Sequence, residues 1–208
     1  MRVDFRGALE ARLAPYNIQL SSDLTEKLES FYTLLARWNL RVNLTALPLA
    51  GFPSSTLDRL FVEPLIAAEH LKNSTRSLMD LGSGGGSPAV PLALAIPGVS
   101  LLMVESRERK VSFLREAIRQ LALQNAAVFA ERFSELLTAE VMSPPDTLTL
   151  RAVRIDDEVL EVVRRWLKPG GQVLLFGGDE SLPQREFHST GTVRLPGPTN
   201  RLTFWTRD

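Results

Sequence analysis

The sequence contains no cysteine, which excludes disulfide bonds, thiolate metal sites and a cysteine nucleophile. It has two histidines, His70 and His188, too few and too far apart to predict a metal site. It also has no net charge, because 24 basic residues balance 24 acidic ones. No field of the whole molecule therefore attracts nucleic acid or an anionic membrane, and any nucleic-acid binding has to be local.

Long apolar segments are absent as well. No run reaches the ~18 residues that a membrane-spanning helix needs. Asp4 and Glu10 interrupt the N-terminal stretch where a signal peptide would be continuously apolar, so we expect a cytoplasmic protein that does not bind membranes. The 208 residues are 44% apolar, enough for the core of one medium-sized domain with or without a helical appendage.

The first 75 residues have the apolar spacing of helices. Asp23 and Glu26 stand in the pattern of an N-cap and its N3 partner, and apolar residues recur from there to Trp38. The predicted helices cover Asp4–Leu13, Asp23–Trp38 and Ser55–Leu71. The polar stretch 72–75 marks a boundary. We therefore predict a helical N-terminal extension over residues 1–75, attached to a single domain over residues 76–208.

After Ser77 the pattern changes to short apolar runs that alternate with amphipathic ones. The runs predict strands at Ser77–Leu81, Ser100–Val104, Ala126–Ala130, Thr147–Leu150 and Gln172–Phe176, and helices at Ala89–Ile96, Arg107–Leu121, Ser134–Glu140 and Asp156–Leu167. This alternation predicts an α/β, doubly wound, mainly parallel sheet. Two strand-like segments, Thr190–Leu195 and Arg201–Thr206, predict a C-terminal antiparallel hairpin. Five crossover strands and a hairpin are typical of the Rossmann-like class I methyltransferase fold.

A glycine-rich loop follows the first predicted strand, and glycines there let a ligand lie against the backbone. A phosphate-binding P-loop would end in Gly-Lys-Ser/Thr, but this loop ends in Gly86-Ser87-Pro88. A dinucleotide fingerprint would place its first two glycines on Gly82 and Gly84, but its third position falls on Ser87. An NAD(P) oxidoreductase is therefore the weaker interpretation.

Two carboxylates flank the loop in the sequence. Asp80 precedes the first glycine, where a negative charge suits an ammonium or sulfonium better than a pyrophosphate. Glu105 closes the second strand, where a carboxylate can accept both ribose hydroxyls of a nucleoside. These acids and the loop, Gly82-Ser83-Gly84 included, favour S-adenosyl-L-methionine as cofactor.

Several motifs resemble those of the RsmG family, also called GidB, bacterial enzymes that methylate N7 of a guanine in 16S ribosomal RNA. The matching segments are 80–93, 105–110, 113–115, Arg37-Trp38-Asn39, Asn43-Leu44-Thr45, Arg151-Ala152 and Arg201. The resemblance extends from about residue 30 to the end. It implies a monomer that acts on 16S rRNA or the small ribosomal subunit.

The resemblance also implies the site residues. The cofactor contacts of the family fall on Gly82, Ser87, Phe133, Ser134 and Arg151. With the residues identified above, Gly86 and Ser106 complete the predicted cofactor site. Arg151 is our candidate catalytic residue: it positions the cofactor or the base, or it pairs with Asp80.

Some positions depart from the family pattern. Leu60, Pro64 and Phe176 replace a histidine, a serine and a lysine, so a non-catalytic relative that binds ribosomal RNA remains the alternative. The basic segment 107–119 could track phosphates or form a solvated face of ion pairs. Trp38 lies on the apolar stripe of its helix, which favours a core position over a base-stacking one.

Overall fold

A computed structural model describes residues 4–71, 75–140, 143–177 and 181–208. Most of the predicted boundary stretch, 72–74, lies outside them. The helices are α1 Phe5–Leu13, α2 Ser22–Asn39, α3 Ser54–Leu57, α4 Glu63–Leu71, α5 Ala89–Ala95, α6 Glu108–Gln120, α7 Phe133–Leu136 and α8 Asp157–Trp166. The strands are β1 Ser77–Leu81, β2 Ser100–Val104, β3 Ala126–Phe129, β4 Thr147–Arg151, β5 Gln172–Gly177, β6 Phe187–Arg194 and β7 Arg201–Arg207.

The strands form one seven-stranded sheet in the order β3-β2-β1-β4-β5-β7-β6. The pairs among β1 to β5 are parallel, and β7 is antiparallel to both β5 and β6. This arrangement confirms the predicted doubly wound α/β fold with a C-terminal hairpin. The strand order reverses between β1 and β4, and the carboxyl ends of these strands border the crevice where ligands bind in such sheets.

Alternating residues of the strands supply two cores, one on each face of the sheet. Leu78 and Met103 pack with the N-terminal helices, α5 and α6, in one cluster. Met79 and Val104 pack with α7 and α8 in the other. The helices before residue 75 therefore share a hydrophobic core with one face of the sheet.

The N-terminus of α2 differs from the prediction. Ser21 is the N-cap, and its hydroxyl accepts a hydrogen bond from the Leu24 amide at 3.2 Å. Asp23 already lies in the first turn and pairs with Lys27 at 2.7 Å. Ser21 has extended backbone angles, whereas the helix has begun at Ser22, so only the Ser21 side chain can reach the free amides.

Two further boundaries differ by more than two residues. The α7 helix ends at Leu136 instead of Glu140, and the Leu136 carbonyl accepts a hydrogen bond from the Trp166 indole at 3.0 Å. The hairpin strand β6 begins at Phe187, earlier than predicted, and a register shift between Ser189 and Gly191 interrupts its pairing with β7. The predicted helix before residue 71 is confirmed, with a π-helical segment, Asp58–Val62, between α3 and α4.

Candidate functional site

The glycine loop connects β1 to α5 at the reversal of strand order. Gly82, Gly84 and Gly86 have φ values of 75°, 54° and 81°, in the left-handed region that favours glycine. At Gly82 a Cβ atom would also lie 2.9 Å from Val153 Cγ2. The loop therefore requires glycine at this position for both its backbone angle and its surroundings.

Asp80 lies beneath this loop and is buried. Its Oδ1 accepts a 2.5 Å hydrogen bond from the Thr149 hydroxyl. Its Oδ2 is buried and has no hydrogen-bond partner among the described residues. Burial raises the pKa of Asp80, and the hydrogen bond from Thr149 opposes that rise. The carboxylate thus keeps an unused acceptor at the base of the loop, although Asp80 does not line the crevice itself.

One cavity of about 290 Å³ lies on the Glu105 side of Gly82. Three carboxylates line it, from Glu105, Glu131 and Glu158, with Arg132 as the basic residue. The Glu105 Oε2 accepts the Gly84 amide at 3.0 Å and its Oε1 accepts the Arg107 amide at 2.9 Å. Each oxygen still has a second lone pair for a ligand hydroxyl. We call this space the acidic cavity.

The acidic cavity also contains three other predicted cofactor residues. Ser106, Phe133 and Ser134 line it together with Glu105. Phe133 lies close to the glycine loop: its Cζ would be 3.8 Å from a Cβ atom at Gly82. The phenyl ring supplies an apolar surface next to the carboxylates, a combination that suits a nucleoside base and ribose.

A second cavity of about 340 Å³ lies on the other side of Gly82. Three basic side chains line it, those of Arg59, Lys110 and Arg151, and none of the described lining residues is acidic. The Lys110 side chain makes no hydrogen bond or ion pair with the rest of the described chain. The remaining lining is the loop itself and mostly apolar residues: Leu35, Leu44, Thr45, Leu47, Leu60, Gly82, Ser83, Gly84, Gly85, Ser87 and Ala152. We call this space the basic cavity.

Arg151, at the end of β4, pairs with Glu63 and not with Asp80. Its Nη2 donates to Glu63 Oε2 at 2.9 Å, and both side chains are nearly inaccessible, at 7% and 1% exposure. The guanidinium also lies 4.3 Å from the centre of the Phe176 ring. Burial raises the pKa of Glu63, while Arg151 and Arg59 oppose the rise. The predicted Arg151–Asp80 pair is wrong because Asp80 is held by Thr149.

Arg151 also joins the π-helical segment to the glycine loop. Its Nη1 donates to the Arg59 carbonyl at 2.6 Å and to the Ser87 hydroxyl at 3.2 Å. Ser87 in turn donates to the Leu60 carbonyl at 2.9 Å. Arg151 and Ser87 thus position the wall of the basic cavity, and their polar groups are largely used by the protein itself.

The loop after α2 forms the opposite wall. Asn39 Oδ1 accepts the amides of Leu44 and Thr45 at 2.9 and 3.0 Å, and its Nδ2 donates to the Thr45 carbonyl at 3.1 Å. A Cβ atom at Gly85 would lie 3.0 Å from the Leu44 carbonyl oxygen. Asn39 therefore holds this loop directly against the glycine loop.

The structure brings most of the predicted site residues to one crevice. Those that line its two cavities are Gly82, Ser83, Gly84, Ser87, Glu105, Ser106, Phe133, Ser134 and Arg151. Asp80 and Gly86 lie behind the loop and line neither cavity. Gly86 faces the side chains of Phe31, Val90 and Leu114, so it serves the packing of the loop.

Sequence reasoning missed several polar and charged residues of the crevice as site residues. They are Asn39, Arg59, Glu63 and Lys110 around the basic cavity and Glu131, Arg132 and Glu158 in the acidic cavity. Asn39 and Lys110 lie in segments that match the family, and this match was the feature of the sequence that could have identified them. The role of Glu63 has no local signal, because its partner Arg151 is 88 residues away.

The described part of the chain contains no helix that is long and apolar enough to cross a membrane. Nor do its described histidine and acidic side chains form a group of three that could hold a metal ion.

Comparisons with known proteins agree on one family. A family model described as rRNA small subunit methyltransferase G (GidB) matches residues 24–193. The protein named ribosomal RNA small subunit methyltransferase G from Stenotrophomonas maltophilia is 38% identical over 172 residues, which cover 82% of this chain and 76% of that protein. The protein of the same name from Paracoccus denitrificans is 37% identical over 158 residues, which cover 74% and 76%.

Solved structures support the fold. An O-methyltransferase from Bacillus cereus in complex with SAH aligns with a TM-score of 0.67 and 14% identity, covering 97% of each chain.

Proposed function

Because this chain belongs to the rRNA small subunit methyltransferase G family, we propose that it transfers a methyl group from S-adenosylmethionine to N7 of a guanine in 16S ribosomal RNA. The observation that carries the proposal is the separation of charge at Gly82. The acidic cavity has three carboxylates and one arginine, and the basic cavity has three cations and no acid among its described lining residues. A nucleoside without phosphates suits the first, and an RNA strand suits the second.

The residues present fit S-adenosylmethionine. The Asp80 carboxylate lies beneath the loop with its Oδ2 unpartnered, so its charge favours a cationic group above the loop without touching it, and the glycines leave space that a Cβ atom would fill. Glu105 has free lone pairs for ribose hydroxyls, and Phe133 offers its ring to the base. We propose that these residues hold the cofactor with Ser83, Gly84, Ser106 and Ser134.

The proposed methyl transfer does not require the protein to move a proton. When bound, S-adenosylmethionine supplies an electrophilic methyl group on a sulfonium. Guanine N7 offers a lone pair and carries no proton, so no general base is needed. The protein has to orient the acceptor and exclude water, and orientation alone can lower a barrier by several kcal/mol. Leu35, Leu44, Leu47 and Leu60 give the basic cavity apolar walls for this purpose.

Within this proposal Arg151 acts as a positioning residue. Its guanidinium is tied to Glu63, the Arg59 carbonyl and Ser87, so it fixes the wall against which the base is placed. Arg59 also pairs with Glu63, at 3.2 Å, but its side chain is 31% exposed, and the Lys110 side chain has no partner among the described residues, so these two carry the more available charges of the cavity. We propose that these two contact RNA phosphates.

Mass-spectrometric mapping of 16S rRNA tests the proposal, using cells that lack the gene, complemented with the wild-type protein or with Gly82→Ala. We expect one methylated guanine with the wild-type protein and its loss with the variant. Calorimetry with S-adenosylmethionine adds the cofactor test, and no binding at millimolar ligand would overturn the proposal. Binding without methylation would favour the non-catalytic alternative.

We also propose that the protein acts as a monomer in the cytoplasm. A single chain contains both cavities, so no partner subunit is needed to complete the crevice. Analytical ultracentrifugation, with and without RNA, tests the oligomeric state.

A further inference from the structure

A separate pocket of about 350 Å³ lies at the carboxyl-terminal end of α2. Its lining consists of Arg37, Trp38, Leu40, Arg41 and Val42, and we call it the α2-end pocket. Leu40 is 85% exposed, and in the described part of the chain it is the only large apolar side chain that is exposed. An apolar surface between two arginines is a combination that binds nucleotides.

Trp38 gives the pocket a fixed aromatic surface. The indole packs against the core cluster, as predicted, with its ring centre 5.9 Å from that of Phe113 and an angle of 63° between the rings. The side chain is half-buried, and its remaining surface lines the pocket. An aromatic ring held this way loses little conformational entropy when a base contacts it.

The charges around the pocket are basic and mostly unpaired. Arg37 and Arg41 form no ion pair with any described residue. On the neighbouring helix α6, Glu116 binds Arg119 through both carboxylate oxygens. The pKa of Glu116 is lowered chiefly by Arg119 and to a smaller degree by Arg37, which places Arg37 close to this pair.

The basic segment predicted over residues 107–119 lies on α6, which contacts α2. Arg107, Arg109 and Arg115 form no ion pair within the described ranges, and the acid Glu108 is also unpaired. The solvated face of ion pairs is therefore limited to Arg119 and Glu116. Residues 107–119 contain five basic and two acidic side chains, so this segment is positively charged although the whole chain has no net charge.

The α2-end pocket is joined to the crevice by a short stretch of chain. Val42 lines the pocket, and Leu44 and Thr45, two and three residues later, line the basic cavity. Asn39 fixes this short connection through its three hydrogen bonds. An RNA strand with one nucleotide in the basic cavity can therefore place a nearby nucleotide at the end of α2.

We propose that the α2-end pocket binds an unpaired nucleotide of the RNA substrate, near the nucleotide that is methylated, with its base against Trp38 and Leu40 and its phosphates at Arg37 and Arg41. The inference rests on the proposed function. An aromatic and apolar surface accepts any base, and the arginines accept the backbone, so the pocket adds affinity and alignment without selecting a base.

Helix electrostatics offer a competing explanation for the arginines. Basic side chains near the carboxyl-terminal end of a helix are stabilising because they oppose the negative end of its dipole. That effect acts on the folding of α2 and leaves RNA affinity unchanged. It also does not account for the exposure of Leu40, so the two explanations make different predictions.

The test compares Arg37→Gln/Arg41→Gln and Leu40→Ala with the control Arg76→Gln/Arg185→Gln. The control removes the same charge from exposed arginines next to the start of β1 and the start of β6, at the opposite edge of the sheet from the crevice. Steady-state methylation is measured on 16S rRNA purified from cells lacking the gene and on small subunits from the same cells. Calorimetry with S-adenosylhomocysteine and thermal melts accompany each variant.

We expect the arginine pair variant to raise KM for RNA about tenfold, with kcat within about twofold, on both substrates. The slope of log affinity against log salt should decrease by about 1.4, since each phosphate contact in a single strand contributes about 0.7. Leu40→Ala should raise KM without changing that slope. S-adenosylhomocysteine binding should equal that of the wild type in every variant.

Several outcomes overturn the inference. A KM for the arginine variant equal to that of the control overturns it, and so does a lower melting temperature with unchanged RNA affinity, which assigns the arginines to helix stability. An effect on small subunits but not on purified RNA assigns the surface to a ribosomal protein. A wild-type protein that methylates neither substrate overturns the proposed function, and this inference with it.

Discussion

The substitution Asp80→Asn should change cofactor affinity and protein stability in opposite directions: it should weaken cofactor binding without destabilising the fold. The Asp80 carboxylate is buried, and its Oδ2 has no partner among the described residues. An unpaired buried polar group lowers the free energy of unfolding by about 1–3 kcal/mol if it is neutral, and by more if it is charged. Asparagine keeps the shape and the acceptor for Thr149. Without cofactor, we expect the free energy of unfolding of the variant in urea to equal that of the wild type or to exceed it by up to about 3 kcal/mol.

The same substitution should weaken cofactor binding. The Asp80 charge acts through the loop, and two unit charges ~8 Å apart at an effective dielectric constant of about 20 attract each other by roughly 2 kcal/mol, so calorimetry should show a loss of about 30-fold in affinity for S-adenosylhomocysteine. Methylthioadenosine, which lacks the amino acid portion, serves as the matched ligand. It should bind Asp80→Asn and the wild type equally.

The pH dependence follows from the raised pKa of Asp80. The folded state holds this proton more tightly than the unfolded state, so the penalty for the charged form is fully present above the folded pKa and disappears as the pH falls toward 3.8. The stability advantage of Asp80→Asn should therefore be largest at neutral pH and vanish in acid. A variant that unfolds more easily at pH 7 and still binds S-adenosylhomocysteine normally would refute the reasoning, because Asp80 would then be a structural residue.

Other predictions concern the two walls and the loop. Glu63→Gln should lower the free energy of unfolding by about 3–5 kcal/mol in urea titrations, because it leaves a buried arginine unpaired, whereas Glu161→Gln at an exposed ion pair should change it by less than about 1 kcal/mol. Equal losses would contradict this. Asn39→Ala should cost about 1–3 kcal/mol and raise KM for RNA, and an unchanged KM would show that the loop holds without it. Gly82→Ala should abolish S-adenosylhomocysteine binding, while Gly98→Ala, with a similar φ but nothing within 4 Å, should only cost about 1–2 kcal/mol. Calorimetry showing normal binding by Gly82→Ala would be inconsistent with a glycine cradle.

The sequence was informative where the physical signal is local. Short apolar runs between turn residues predicted the five parallel strands, because buried strands need apolar residues on both faces. The glycines and Glu105 were placed in the crevice by the rule that ligands bind at the carboxyl ends of parallel strands. The helix start was missed because Ser21, Ser22 and Asp23 can all cap, and only backbone angles decide among them.

Long-range pairing was beyond such reasoning. Arg151 had several acids available, and the choice of Glu63 depends on how the N-terminal helices pack against the sheet. Asn39 belongs to one of the family motifs, but its role in holding the loop after α2 could not be predicted. Its hydrogen-bond partners lie in an irregular loop, and the path of such a loop leaves no periodic pattern in the sequence. The split of charge between the two cavities likewise arises only when segments far apart in the chain are brought together.

Glu63 has one more partner, at the far end of the chain. Asn200, in the turn between β6 and β7, donates to Glu63 Oε1 at 3.3 Å across 137 residues of sequence. A protein emerging from the ribosome cannot make this contact until the turn that carries Asn200 has been synthesised. The Glu63–Arg151 side of the basic cavity therefore gains a hydrogen bond that forms only after all five parallel strands have been made, and this bond couples the C-terminal hairpin to the N-terminal helices.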